Sequence, residues 1–387
     1  MNDQNNFLLA VVLSLGVLLA WQFFVIEPRM ADERAQQAAQ QATLAKQADQ
    51  IAQNTSDAPI APTVPNISAG NEFNVPNIAP QSQPNPQGKR VRIVTPKLVG
   101  SLALIGARFD DLILQEYRET AQSGAPQQPL LVGGGASNWY INHGWVAAAG
   151  AAGEALTLPD ENSQWQLLEG TILTPTTPIT LQHTTPEGLV LKQHIGVDEN
   201  YMFTITQSVS NKTNKNVTLY PFGQITRTGR PQTTNLFILH EGAVGFLGEA
   251  GLVEHDYDDL VEDGVFKQDA IGGWLGITDK YWATTLVPPQ DEKYGARFTG
   301  HTITGAITST GIGTTNERYN TDYLLGGRAV PQGASVSVTS QFFAGAKVVE
   351  AIDAYADTGI ERFDLMIDWG WFYFLTKPMF RALHFFY

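Results

Sequence analysis

Cysteine is missing from all 387 residues of the chain. That absence excludes disulfides, thiol nucleophiles and cysteine-based metal sites together. It leaves the compartment open, because a domain of this size does not need staples. Basic side chains are scarce as well: 24 Lys and Arg stand against 38 Asp and Glu, a formal net charge of -14. Phosphate binding rests on clustered Lys and Arg, and with no such patch here a nucleic-acid partner is not expected. The seven histidines form no His-x-x-x-His or similar ligand pair. No internal repeat recurs at a fixed period, which argues against solenoid and propeller arrays.

What the chain does have lies first at its two ends. Phe7 to Ile26 is twenty residues without a charge, with only Ser14 and Gln22 as polar side chains. A helix of that length crosses a hydrocarbon core of ~30 Å, so Phe7, Leu13, Leu19, Trp21, Phe24 and Ile26 are expected to face lipid as a membrane anchor. A removed signal peptide is the plainer reading, but Met1 to Asn6 carries no Lys or Arg, the run is too long, and no small-x-small site follows. Orientation stays open at this point. Arg29 and Arg34 follow the span, which favours a cytoplasmic body, yet the positive-inside rule loses force for long translocated domains.

The other end, Trp369 to Tyr387, is crowded with aromatics and keeps three basic side chains. Wound as a helix, it puts Lys377, Arg381 and His384 on one stripe. Phe372, Leu375, Met379, Leu383 and Phe386 fall on the opposite face, with Trp371 near the start. Such a helix lies along a bilayer surface, with membrane lipid as its partner. The competing reading is a core helix of a globular protein, but a terminal segment this apolar would be an aggregation hazard without a partner. Pro378 should kink the helix or mark its first turn.

Between the ends the chain changes character twice. Residues 27–52 are rich in Ala and Gln without a core-facing stripe, and residues 54–88 are dominated by Pro, Asn, Gln and Ser. Together they predict a tether, semi-stiff where Pro favours polyproline II. From Lys89, alternating or β-branched runs recur at short spacing. They cover Val91–Val94, Leu98–Ile105, Leu112–Tyr117, Ile179–His183, Leu189–Val197, Phe203–Val209, Val217–Thr226, Tyr281–Val287, Thr302–Ser309 and Ser335–Phe343. Turn signals such as Pro186-Glu187-Gly188 separate them. With 36 Gly, 21 Pro and few helical windows, the pattern predicts a mainly β fold, a large antiparallel β-sandwich. Val349, Ile352 and Tyr355 then fall at helical spacing, predicting a helix over 346–356.

Chemistry is thinly signalled. His183, His194 and Glu187 between them suit an acid/base set across a hairpin only if geometry unites them; half-exposed strand and turn residues are the simpler reading. Glu254 to Asp263 is acidic, but Leu260 occupies a would-be ligand position and Gly264 comes too late for a calcium loop, so a solvated acidic loop is expected. Gly133-Gly134-Gly135 lacks the Lys and following helix of a phosphate loop and reads as a turn.

Three strings are more particular: Gly272 to Pro288 (GGWLGITDKYWATTLVP), Gly100 to Thr120 (GSLALIGARFDDLILQEYRET) and Gln341 to Tyr355 (QFFAGAKVVEAIDAY). With the Trp21-Gln22 anchor and the closing GWFYFLTKPMFRALHFFY, they resemble the YidC family of bacterial membrane protein insertases. The resemblance implies a domain order: 1–6 cytoplasmic, 7–26 transmembrane anchor, 27–88 linker, 89–345 periplasmic β-supersandwich similar to sugar-epimerase folds, 346–358 linking helix, 369–387 amphipathic helix. It further implies a place in the bacterial inner membrane, with the large domain in the periplasm. Nascent inner-membrane proteins and Sec translocon components are the implied partners, with no cofactor and no enzymatic activity. The insertion groove and its Arg belong to transmembrane helices that the family places after the amphipathic helix. Arg381 is not that residue. The alternatives from other classes are a membrane-anchored periplasmic sugar-binding or epimerase-like module, built on His183, Glu187 and His194, and an envelope adaptor.

Overall fold

The computed structural model describes residues 89–134, 137–147, 156–231, 239–307, 313–370 and 373–386. The expected anchor (7–26) and tether (27–88) lie outside the described residues.

Two sheets face each other. The larger runs, in spatial order, from β14 (Val265–Ile271) through β17 (Lys293–Ile307) and β18 (Gly313–Leu325) to β11 (Val217–Thr228) and β5 (Asn138–Ala147). It continues through β4 (Gln127–Val132), β3 (Arg108–Arg118), β2 (Leu98–Ala103), β1 (Arg90–Val94) and β7 (Ile172–Leu173), with β19 (Arg328–Val330) also pairing β11. The smaller sheet begins with β13 (Leu252–Asp256), β12 (Gly242–Phe246), β15 (Trp274–Thr278) and β16 (Trp282–Val287). It ends with β20 (Ser335–Ala346), β10 (Met202–Asn211), β9 (Leu189–Val197), β8 (Ile179–Thr184) and β6 (Gln166–Glu169). Among the described residues, every strand pairing is antiparallel except β1 with β7. The mainly β, two-sheet antiparallel sandwich expected from the sequence is therefore what forms.

Alternation explains the strands that the sequence announced. In β9, Leu189, Leu191, Gln193, Ile195 and Val197 are buried while His194 is exposed, the period-two signature of a half-buried strand. The sheets meet through aromatic rings. Phe109 of β3 lies edge-on to Phe203 of β10 at 5.5 Å and to Phe342 of β20 at 4.8 Å, while Phe203 and Phe342 stack at 4.5 Å.

Several segments differ from the sequence expectation. The strand expected at Thr302–Ser309 starts earlier, at Lys293, and Ser309 lies outside the described residues. Strands β5 and β18 carry no clean alternation because both of their faces are covered: Tyr140, Arg318 and Asp322 on one side are as buried as Trp139, Tyr319 and Tyr323 on the other. The acidic stretch expected to be a solvated loop instead ends β13 and forms a short helix, α1 (Tyr257–Asp263). Buried Tyr257 and Leu260 hold it, and Asp258 and Asp259 favour its N-terminal turn.

After β20 the chain forms α2 (Val349–Asp357), whose Ala351, Ile352 and Tyr355 are buried. Tyr355 donates its hydroxyl to Asp198 at 2.6 Å and accepts from the Tyr201 amide at 3.1 Å. A 3-10 turn follows at Phe363–Met366. Phe363 packs edge-on against Trp274, Phe343 and Tyr355, and the Trp274 indole donates to the Arg362 carbonyl at 3.1 Å. Trp274 is presented by Gly272 and Gly273, both in left-handed backbone (φ +74° and +81°). A Cβ on Gly273 would also run into the Phe246 carbonyl oxygen. Gly273→Ala should therefore cost at least the roughly 1–3 kcal/mol of a strained backbone, read as a lower urea midpoint; an unchanged midpoint would refute the close approach.

One buried polar ring is unusual. His143 sits between the sheets, stacked on Phe342 at 5.6 Å, and neither ring nitrogen has a hydrogen-bond partner. Burial alone pushes its pKa from 6.5 down to about 3, so the folded protein holds it neutral. The folded value lies below the unfolded one. The stability this site contributes is whole above pH 6.5 and is lost as pH falls toward 3. His143→Leu removes the site without breaking a hydrogen bond. It should flatten the acid slope of unfolding free energy by about 1 kcal/mol per pH unit in that window, measured by urea titrations of both proteins.

Candidate functional site

The first candidate is the exit from the sandwich. Helix α3 (Tyr373–Phe386) follows the 3-10 turn and contains Pro378 beyond its first turn. Lys377 lies 3.7 Å from Asp353 on α2 and 3.5 Å from Asp364 in the turn, with its ammonium 6.0 Å from the Trp369 ring centre. Phe380 meets Trp369 edge-on at 5.4 Å, and Thr376 donates to the Trp369 carbonyl at 2.9 Å. Met379 and Leu383, about 200° and 240° around the helix from Lys377, are 53% and 68% exposed. The sequence grouped Lys377 with a cationic stripe; here its charge is engaged by the body. The carboxylates that hold it carry no sequence signal. Trp371 and Phe372 lie outside the described residues, as do the side chains of Leu375, Arg381 and Phe386. No helix among the described residues is long and apolar enough to cross a membrane.

Burial also shapes the approach to α3. Lys347, just after β20, donates to Thr278 at 3.0 Å, and desolvation pushes its ammonium pKa down while Asp279, Asp368 and Glu241 act against that shift.

The second candidate comes apart. His194 stands on β9 opposite Thr180, whose hydroxyl is 3.0 Å from His194 Nδ1 and donates to Glu169 at 2.9 Å. His183 is three residues further along β8 and so on the other face of the sheet, where it packs on Trp165 and contacts the Gln164 carbonyl at 2.9 Å. Glu187 lies in the turn and accepts from the Thr157 hydroxyl at 2.7 Å, a bond that holds its carboxyl below the usual range. The three groups make separate structural contacts. Among the described residues, no three His, Cys, Asp or Glu groups are placed to hold a metal.

The third feature was invisible in the sequence. Asn138, Tyr140 and Asn142 of β5, Gln224, Thr226 and Thr228 of β11, and Arg318, Asn320 and Asp322 of β18 stand in register on one face of the larger sheet. The intervening residues point at the smaller sheet, where the Trp139 indole donates to Thr284 at 3.0 Å. The polar rows therefore line the outer face. Arg297 pairs with Asp322 at 3.0 Å on one side, and on the other Arg108 lies 4.9 Å over the Tyr140 ring and 3.0 Å from Asp110. The rows draw on strands nearly two hundred residues apart, so no local pattern could reveal them.

A profile described as the YidC periplasmic domain matches residues 90–382. The chain belongs to this family. The YidC assignment extends to whole-chain relatives. Proteins named "Membrane protein insertase YidC" from Methylobacterium sp. (strain 4-46) and Methylorubrum extorquens (strain PA1) are 39% and 40% identical over 412 and 406 residues, covering 100% of this chain. The chain spans 63% and 62% of their lengths. Among solved structures, a galactose mutarotase related enzyme from Lactobacillus acidophilus aligns with 67% of this chain and 100% of its own, at 9% identity and a TM-score of 0.44, too distant to bear on function. The YidC-type exit carries a direct test. Lys377→Met should speed amide exchange in α3 while lowering global stability by no more than about 1 kcal/mol. High salt should have the same effect on the parent and little on the variant; exchange unaltered by the substitution would mean that the ion pairs do not hold the helix.

Proposed function

We propose that this chain is the anchored, periplasmic part of an insertase that brings proteins into the bacterial inner membrane, with α3 lying on the membrane surface. The observation that carries the reading is the division of labour on α3: its ammonium turns to the body while Met379 and Leu383 face away. A helix held on one side by protein and apolar on the other is suited to sinking its free face to the headgroup boundary. Family membership and the naming of the relatives support the insertase role. In this reading residues 7–26 anchor the chain, residues 27–88 tether it, the sandwich offers surfaces to Sec translocon components, and α2 and α3 brace a transmembrane core that receives nascent inner-membrane proteins. This chain contributes positioning rather than chemistry, and no cofactor enters the scheme.

The experiment is partition of the whole chain onto vesicles of phosphatidylethanolamine and phosphatidylglycerol. Because residues 7–26 would themselves insert, the helix is read locally, by the emission of an environment-sensitive dye on a cysteine placed at Ala382. Met379→Glu with Leu383→Glu should reduce the membrane-inserted fraction of the dye at least tenfold, the order expected for withdrawing two apolar side chains from lipid. Equal insertion with and without the two carboxylates would defeat the interfacial reading.

A further inference from the structure

The apolar face of α3 carries a reactive atom that the membrane role leaves unused. The chain has five methionines and no cysteine, and three of the methionines lie among the described residues. Met202 of β10 is 4% exposed and Met366 of the 3-10 turn is 3% exposed, whereas Met379 of α3 is 53% exposed. Oxidation of a thioether requires its sulfur to meet the oxidant, so exposure ranks the three. The two buried sulfurs belong to the packed interior and are shielded. A thiol would react first, and the chain has none. Among the described residues, Met379 therefore holds the sulfur that an oxidant reaches.

Its position gives that reaction a consequence. Met379 and Leu383 are neighbours one turn apart on α3, away from the carboxylates that hold Lys377. Hydrogen peroxide or a hypohalous acid gives one oxygen atom to the thioether. The sulfur lone pair forms the S–O bond as the O–O or O–halogen bond breaks. Sulfur is oxidised by two electrons, and water leaves, or a halide ion and a proton. The sulfoxide is polar and accepts hydrogen bonds, so burying it in lipid is costly where the thioether was favourable. Leu383 has no such chemistry and keeps its apolar surface. Lys377 keeps Asp353 and Asp364 on the other side of the helix, so the change falls on the lipid side alone.

We propose that Met379 is a reversible oxidation site, at which peroxide or hypohalous acid forms the sulfoxide and so lifts α3 from the bilayer surface. Reversal takes two electrons and two protons from a thiol reductant and releases water, the reaction of the methionine sulfoxide reductases. The proposal rests on the membrane reading of α3 and adds a regulation to it.

The test uses the whole chain on phosphatidylethanolamine and phosphatidylglycerol vesicles, with the dye on a cysteine placed at Ala382 and hypochlorous acid as oxidant. Peptide mass mapping should find Met379 oxidised roughly tenfold faster than Met202 and Met366. The inserted fraction of the dye should fall about fivefold as the sulfoxide forms. It should recover on treatment with both sulfoxide reductases, one for each epimer, and dithiothreitol. Insertion of the Met379→Leu protein should not respond to oxidant, which separates this site from the dye and from the remaining methionines. Met379→Gln, polar and of similar length, should insert before oxidation as poorly as the oxidised parent, with unchanged thermal unfolding. Equal oxidation of all three methionines, an oxidised parent that inserts as the reduced one does, or an oxidant response retained by Met379→Leu would each overturn the proposal. A reduced parent whose dye does not insert would defeat the membrane reading and this proposal with it. Insertion that is normal in the reduced parent and indifferent to oxidation would defeat this proposal alone.

Discussion

Trp274 decides how the chain leaves its sandwich. Its indole donates to the Arg362 carbonyl and its ring receives Phe363, which in turn touches Phe343 of β20 and Tyr355 of α2. Gln290 reinforces the junction: it accepts from the amides of both Gly273 and Glu361 and donates to the Gly273 carbonyl. These contacts add to the burial of Ile352, Ile360 and Met366 and to the bonds of Tyr355 and Lys347 in orienting the segment after β20. With them, Asp353 and Asp364 come close enough together to share Lys377, and α3 inherits a direction from the sheet.

The string that first suggested the family, Gly272 to Pro288, is the one that builds this junction. Its two glycines allow a backbone that other residues strain to adopt, which is why so short a string is informative. Half-buried strands were legible for the same local reason: β9 and β10 alternate, and their sequences say so. The helical spacing of Ile352 and Tyr355 was equally plain, and both are buried. Where both faces of a strand are covered, period two disappears. Asn138 to Ala147 and Gly313 to Leu325 therefore stand outside the expected strand runs although they lie inside the larger sheet. The outer face they share escaped notice because register between distant strands is a tertiary property. Candidates taken from residue type alone fared worst, since His183 and His194 are close in sequence yet on opposite faces of one sheet.

The sandwich thus carries two unlike surfaces. The exit depends on aromatic packing and a shared ammonium, while the outer face of β5, β11 and β18 carries buried polar rows tied together by bonds such as Thr226 to Asn320 and Arg297 to Asp322. The acidic balance of the chain does not reach into the second surface, where charges are nearly matched. That separation lets one be altered without the other, a property useful for assigning effects to each.

Trp274 opens β15, and β15 is flanked on both sides, by β12 and β16. In mechanical terms, a pull on α3 runs along the chain through α2 to β20, which is itself flanked by β10 and β16, and through Phe363 to β15. Ladders on both sides share the load in shear, whereas a chain leaving from an edge strand would be peeled one hydrogen bond at a time. A domain attached in this way resists unravelling from its point of attachment.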